Sequence, residues 1–199
     1  MKDKRKLKGG QTKLKATGIV RRIDDLGRVV VPKEIRRTLR IHEGDPLEIY
    51  TDKESEVILK KYSPIADLGK FAKEYTDSLH EAIGHIACVA DRDTIIAISG
   101  TAKKEFKDRP IGPAVEQAME KRRAVLINNP DNTDNSAVLE GDEDSSKFSA
   151  EVIAPIIAGG DPVGAVILLS KENGVQMGGL EMKLAETAAG FLAKQMEHH

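Results

Sequence analysis

Cysteine and aromatic side chains are scarce in this sequence, which has one Cys, no Trp and 4% aromatic residues. The single cysteine, Cys88, cannot form a disulfide within the chain, and a cysteine-rich zinc site is excluded. So few aromatic rings argue against a stacking platform for single-stranded nucleic acid. Neither disulfides nor a zinc site is therefore expected to stabilise the fold, and we expect no cofactor.

Long apolar runs are also absent, since the mean hydropathy is -0.36 and no stretch approaches the ~18–20 residues of a membrane span. The first residues, Met1–Lys8, are basic but lack the apolar core of a signal peptide. These features predict a cytoplasmic protein without membrane association. The closing residues His198 and His199 resemble the remnant of a purification tag and carry no argument.

The net charge of -1 conceals two halves of opposite sign. Residues 1–62 contain 17 of the 31 basic and 10 of the 32 acidic residues, a net charge of +7. Residues 63–199 contain the other 14 and 22, a net charge of -8. Such asymmetry indicates two domains with different partners, and the basic half suits a polyanion.

The sequence divides into four segments by composition and periodicity. We expect a disordered basic extension at 1–14, a small domain at 15–62, a linker helix at 63–84 and a sensor-like domain at 85–197. The second segment has fewer than 50 residues, which gives a marginal core without disulfides or metal. The sequence therefore predicts that this domain associates with a second copy.

The small domain reads as short strands around one short helix. Strands are predicted from β-branched runs, turns from Asp, Gly and Pro, and the helix start from a proline. The predicted elements are a strand at Ala16–Ile23, a turn at 24–27, a strand at Arg28–Val31, a helix from Pro32 to about Arg40, and a hairpin of Leu47–Thr51 with Glu56–Lys61.

The remainder predicts an α+β domain, with about five strands between a helix that begins it and a helix that ends it. Ser63-Pro64 is an N-cap pair for the first helix, which ends at Gly84. Asn, Asp and Ser dominate 128–147, which predicts a long loop. The other predicted elements are strands at His85–Ala90, Thr94–Ser99, Ala124–Ile127, Phe148–Ala158 and Pro162–Ser170, a helix at 111–123 and a final helix at Gly179–Glu197.

Basic residues carry the strongest chemical signal. Lys33, Arg36, Arg37 and Arg40 recur at helical spacing, which places them on one face where they repel each other. A solvated surface is the ordinary explanation for such a face. Three further arginines precede the helix on the predicted strands, and the whole set fits a phosphate lattice better. These are Arg21, Arg22 and Arg28.

Motifs in both halves of the sequence resemble a known family. The stretch KATGIVRRIDDLGRVVVPKEIRRTL at 15–39, with LEIY at 47–50 and VILKKY at 57–62, is similar to the AbrB-type DNA-binding domain of bacterial transition-state regulators. The motifs FAKEY at 71–75, GDPVGA at 160–165 and ETAAGFLAKQM at 186–196 resemble the sensor half of a sporulation regulator of spore-forming Firmicutes.

The resemblance implies a swapped-hairpin β-barrel dimer followed by a GAF-like domain, and an activator and repressor of sporulation genes. It implies that Arg21, Arg28, Arg36 and Arg37 contact duplex DNA, with Lys15 and Arg22 nearby. The 14-residue N-terminal extension departs from the family pattern. A small-molecule ligand of unknown identity is a further possibility for the sensor half.

The terminal helices predict an assembly larger than a dimer. The helix at 64–83 has an apolar stripe, and the final helix carries small residues, which permit close approach of another backbone. These small residues are Ala185, Ala188, Ala189 and Gly190. We expect barrels that dimerise and terminal helices that join two dimers into a homotetramer.

Other candidate sites are weak. The Asp24-Asp25 pair suits turn chemistry, Gly159-Gly160 a hairpin turn, and Cys88 an inert buried thiol. His42, His80 and His85 share no metal-ligand spacing, and the acidic loop 140–144 lacks the spacing of a calcium loop. Two alternatives remain: an antitoxin-type interaction module, and an enzyme, for which no nucleophile and base pair is visible.

Overall fold

The structure is a computed structural model that describes residues 17–41, 43–51, 56–63, 65, 68–101, 106, 108–128 and 148–197. Contacts within the chain define two compact units, Met1–Asp45 and Pro46–His199. The division falls before the hairpin of the predicted domain 15–62. The predicted extension 1–14 lies outside the described residues, as does the predicted loop 128–147 apart from Asn128, which belongs to a strand.

Among its described residues, the first unit contains one helix, α1, at Lys33–Thr38. The strands expected at Ala16–Ile23 and Arg28–Val31 are not formed in their described parts. A strand is defined by ladder hydrogen bonds to another strand, and the ladders among the described residues join other segments. A β-branched sequence alone therefore does not make a strand within one copy of this chain.

Helix α1 begins after Pro32 and ends in a Schellman motif. The Ile41 N–H donates to Arg36 O at 2.8 Å, and the Arg40 N–H donates to Arg37 O at 3.3 Å. Arg40 has a φ of 50°, so it lies in the left-handed region after the helix end. The prediction that the helix continues to Arg40 is therefore wrong, because its C-terminal carbonyls are already satisfied by the motif.

The second unit opens with an antiparallel hairpin of β1 (Leu47–Thr51) and β2 (Val57–Lys61). The hairpin was predicted from the two β-rich runs, and its register places Leu47 opposite Lys61. Beyond the ladder, the Tyr62 N–H donates to Pro46 O at 3.0 Å.

The rest of the second unit consists of α2 (Gly69–Ile83), β3 (Ile86–Ala90), β4 (Ile95–Ser99), α3 (Pro113–Lys121), β5 (Val125–Asn128), β6 (Ala150–Ala158), β7 (Asp161–Ser170) and α4 (Gly179–Glu197). Its strands form a five-stranded antiparallel sheet with strand order β4-β3-β7-β6-β5. The turn between β6 and β7 is Gly159-Gly160, with φ of 58° and 88°. Positive φ at both positions suits a two-residue hairpin, as predicted.

Helices cover both faces of the sheet. On β6, Val152, Ala154 and Ile156 point to one apolar core, which α2 and α4 complete, and Ile153 points to the other, which α3 completes. The first and last helices of the domain thus lie on the same face of the sheet.

Helix α2 starts later than its cap signal predicted. Its N-cap position is Leu68, and the Ser63 hydroxyl donates to Asp91. The end at Gly84 is confirmed, with φ of 72° and its N–H donating to His80 O. Ala72 and Leu79 are buried against the sheet, so α2 packs on the sheet throughout.

Candidate nucleic-acid interface

The predicted DNA-contacting residues of the first unit reach solvent. Six are exposed and Arg40 is half-buried, while Lys15 lies outside the described residues. Guanidinium and ammonium groups in contact with water can exchange hydration for phosphate oxygens. The six exposed residues are Arg21, Arg22, Arg28, Lys33, Arg36 and Arg37.

The turn at 24–27 is organised by Asp24. Its Oδ1 accepts from the backbone N–H groups of Arg28 at 2.7 Å and Leu26 at 3.1 Å. The Gly27 N–H donates to Asp24 O at 3.0 Å, and Gly27 has a φ of 76° that suits glycine. Turn chemistry for Asp24 is therefore confirmed.

The same aspartate positions Arg28. Its Oδ2 accepts from Arg28 Nε at 2.8 Å, although the arginine side chain remains 69% exposed. The hydrogen bonds from Arg28, through its backbone and its side chain, lower the pKa of Asp24. This bond uses one of the five guanidinium donors and orients the Nη groups. Sequence reasoning missed this role, for which the signal was a carboxylate four residues before an arginine.

Helix α1 brings together three of the four predicted basic residues. Lys33, Arg36 and Arg37 lie within its six residues at spacings of three and four. Arg36 and Arg37 occupy the last turn, where positive charge also stabilises the helix dipole. Lys33, in the first turn, opposes the dipole, so helix stability does not account for the set. Arg40 follows the helix and is placed by the Schellman motif.

Large apolar side chains are exposed in the first unit and in the hairpin. In the first unit Val20 is 85% and Val30 71% exposed, and in the hairpin Ile49 is 65% and Val57 67% exposed. Large apolar surfaces on a water-soluble domain mark association sites. The arginines of the first unit therefore lie on a segment with large apolar side chains that the described residues of one copy leave exposed.

The remaining candidate residues have structural surroundings. Cys88 is fully buried, and burial raises the pKa of its thiol well above the ordinary range, as expected for an inert thiol. His80 Nδ1 lies 2.8 Å from His85 O. His42 and the loop 140–144 lie outside the described residues. The described residues contain no group of three His, Cys, Asp or Glu side chains suited to a metal ion.

Within the described part of the chain, none of the helices combines the length and apolar character needed to cross a bilayer.

Comparison with known proteins identifies both parts of the chain. Residues 67–197 match a family described as "Stage V sporulation protein T C-terminal, transcription factor". Residues 20–67 match a family described as "Antidote-toxin recognition MazE, bacterial antitoxin". The chain is 65% identical over 51 residues to the transition state regulatory protein AbrB of Bacillus subtilis, covering 26% of this chain and 52% of that protein.

The sheet domain has the GAF fold. It is similar to the GAF domain of an Acinetobacter phosphoenolpyruvate-protein phosphotransferase, with a TM-score of 0.55 and 13% identity. The match covers 66% of this chain and 82% of that one. An AbrB-like N-terminal domain followed by a GAF-like domain defines a class of bacterial transcription regulators.

Within that class the relationship is specific. The chain is 54% identical over 185 residues to the stage V sporulation protein T of Bacillus subtilis, covering 92% of this chain and 99% of that protein. The chain belongs to the stage V sporulation protein T family. It is a sporulation transcription regulator, and its family is regulatory rather than enzymatic.

Proposed function

We propose that the chain binds duplex DNA as a dimer of its N-terminal domain, through the predicted basic residues of segment 15–40. The observation that carries this proposal is the exposure of six cations within 17 consecutive residues, Arg21 to Arg37. A two-fold axis would present the set twice and so match a pseudo-symmetric site. The contacts with phosphates would position the protein, and arginine contacts with guanine would select sequence.

The dimer is proposed to be a swapped barrel. Segments 17–31 and β1–β2 each expose β-branched side chains, and the former has no strand partner among the described residues of one chain. Strands interleaved from two copies would complete the ladders and bury these side chains. Full burial of one such side chain stabilises by about 1.5–3 kcal/mol. The domain at 15–62 is also too small for more than a marginal core of its own, which supports the swapped barrel.

Replacement of Arg36 and Arg37 tests the DNA-binding proposal. The variant Arg36→Ala/Arg37→Ala should bind duplex DNA at least about tenfold more weakly, since each such contact is worth ~1–3 kcal/mol. The matched control is Arg122→Ala/Arg123→Ala, an adjacent exposed arginine pair in the acidic half. Fluorescence anisotropy with labelled duplex measures both. Equal affinity of the first variant and the native chain would refute the proposal.

An antitoxin-type interaction module is the second candidate, since the family matched at 20–67 carries that description. Modules of that kind grip a partner with an added tail. Here the hairpin is followed instead by a five-stranded sheet with two apolar cores. This observation favours the regulator.

We propose that the GAF-like domain senses a small molecule and that the regulator both activates and represses. The GAF-like domain follows the DNA-binding domain in the chain. This arrangement supports a sensing role, because a change in the second domain could then act on the first. Native mass spectrometry of freshly purified protein tests for a retained ligand. A mass that matches the bare chain, together with no calorimetric response to candidate metabolites, would leave the domain an assembly module.

We also propose a tetramer, formed by α2 and α4 of two dimers. Exposed Phe71 on α2 and exposed Leu180 and Phe191 on α4 support it, at 42%, 66% and 40% exposure. The Phe191 ring packs against Tyr75 of α2, with centroids 5.2 Å apart, so the two helices form a continuous apolar surface. A bundle of such helices from two copies would cover it.

A further inference from the structure

The last strand of the hairpin is tied to the turn between β3 and β4. Lys61 Nζ lies 2.7 Å from Asp93 Oδ2, and the two side chains are only 18% and 26% exposed. Lys70 and Glu74, by contrast, are 3.8 Å apart and 88% and 62% exposed. Water and salt screen a sheltered pair much less than an exposed one. The Lys61–Asp93 ion pair therefore holds the two segments together more strongly than an exposed pair would.

A second contact joins the same two segments. Ser63 Oγ donates to Asp91 Oδ2 at 3.1 Å. The four side chains of Lys61, Ser63, Asp91 and Asp93 together form a clasp. The matched domain at 20–67 includes Lys61 and Ser63, whereas Asp91 and Asp93 belong to the GAF-like part. The clasp thus holds the end of the DNA-binding domain against the sensor sheet.

The turn that carries the clasp is itself fixed. Asp91 Oδ1 accepts from the backbone N–H groups of Asp93 at 2.8 Å and Thr94 at 2.7 Å. Arg92 Nε donates to Pro162 O at 2.7 Å, which ties the turn to the start of β7. Asp91 therefore uses one carboxylate oxygen to hold the turn and the other to hold the hairpin. A displacement of the turn must therefore also move the end of the hairpin.

The turn also contacts the segment that leads into α3. The Ile111 N–H donates to Asp93 O at 2.9 Å, two residues before α3 begins at Pro113. Ile111 is 2% exposed and packs in the core between α3 and the sheet. Asp93 thus binds the α3 segment through its backbone and the hairpin through its side chain. A movement of α3 against the sheet would reach β2 through Asp93.

We propose that the clasp couples the state of the GAF-like domain to the DNA-binding domain, with Asp93 as the coupling residue. This inference rests on the proposed function, because it requires DNA to bind the N-terminal domain. Coupling between sites is reciprocal, so DNA binding must act on the β3–β4 turn as the sensor acts on DNA. The effect can therefore be measured without a known sensor ligand.

Hydrogen exchange of the full-length chain, with and without saturating duplex DNA at low salt, tests the proposal. In the native chain DNA should slow exchange at the Asp93 and Thr94 amides by about fivefold or more. Asp93→Asn removes the charge and preserves the side-chain size. This variant should still bind DNA, but DNA should leave the exchange rates of the amides at positions 93 and 94 unchanged. Asp161→Asn, in the exposed β6–β7 turn, is the matched control and should respond as the native chain does.

Three measurements distinguish the possible outcomes. Anisotropy on the same samples reports DNA binding, exchange at β7 amides reports folding of the variant, and exchange at the 91–94 amides reports the response of the clasp. If DNA saturates the native chain and the 91–94 amides do not respond, the clasp proposal is overturned. The same holds if Asp93→Asn responds fully. A chain that binds no DNA would overturn the proposed function and the role of the clasp with it.

Discussion

At the scale of single residues, the proposed DNA interface depends on side chains that orient cations as much as on the cations. Asp24 accepts from Arg28 through both oxygens, and Arg40 is placed by the end of α1. Neither arrangement follows from charge counting. A carboxylate beside an arginine lowers net positive charge, yet it restricts a flexible guanidinium and reduces the entropy lost on binding.

Arg40 occupies a position that favours glycine. Its φ of 50° costs an ordinary residue about 1 kcal/mol relative to glycine. Arg40→Gly should therefore raise the melting temperature slightly while it weakens DNA binding, because the cation is lost and the strain relieved. Thermal melting and anisotropy measure the two effects.

The control for that prediction is Arg40→Ala, which removes the same charge and retains the strain. It should lose as much DNA affinity as Arg40→Gly without the gain in melting temperature. If either variant binds DNA as the native chain does, Arg40 is not part of the interface.

At the scale of elements, the sequence predicted best where local signals and tertiary contacts agree. The final helix has its predicted bounds, Gly179–Glu197, and Gly159-Gly160 forms the predicted turn. The Ser63-Pro64 cap signal does not mark the start of α2, whose N-cap is Leu68, and the Ser63 hydroxyl donates to Asp91, distant in sequence. The spacing that extended α1 to Arg40 failed because a Schellman motif can form without glycine. A tertiary contact such as that of Ser63 with Asp91 is invisible to local patterns.

The start of α4 gives a prediction with a pH dependence. Glu181 Oε2 accepts from the Gly178 N–H at 2.7 Å, as in a capping box, and this bond lowers the pKa of Glu181. Glu181→Ala should destabilise the domain by about 1 kcal/mol. Because the folded pKa is lowered, the carboxylate stabilises above its ordinary pKa of 4.5, and this is lost as pH falls through the lower folded value.

Melting curves of Glu181→Gln and the native chain from pH 7 to pH 3 measure that dependence. The difference between them should shrink toward acid pH. A difference that is constant over the range would show that the carboxylate charge does not contribute to the cap.

The fragment 15–62 should exist as a folded dimer and not as a folded monomer. Its β-branched side chains are exposed in a single chain and need a second copy for cover. Mass action then makes the melting temperature rise with protein concentration. A melt that is independent of concentration, from a species of monomeric mass, would contradict the swapped barrel.

At the scale of the whole molecule, charge separates the partners. The net charge of +7 on residues 1–62 attracts a polyanion, and the net charge of -8 on the remainder repels it. The helices of the acidic part are proposed to join two dimers while these domains stay away from DNA. The sequence predicted this division because the net charge of each half depends on composition alone and not on which residues are in contact. It could not predict the clasp, because Lys61 and Asp93 lie 32 positions apart.

Assembly through α2 and α4 can be tested by placing charge in the apolar surface. Phe191→Glu should convert a tetramer to dimers, because a buried carboxylate without a partner is strongly unfavourable. Lys121→Glu, which adds a carboxylate to an exposed position of α3, should leave the tetramer intact. Light scattering at micromolar concentration measures the mass. Dimers in the native chain would contradict the proposal.

The salt dependence of duplex binding tests the central claim most directly. If about eight phosphates are neutralised per dimer, log K should fall with log of salt concentration at a slope of about -7, since each phosphate contributes about -0.9. Arg36→Ala/Arg37→Ala should flatten this slope, because those contacts release counterions. A slope near zero in the native chain, or the same steep slope in the variant, would contradict the assignment of these arginines to DNA.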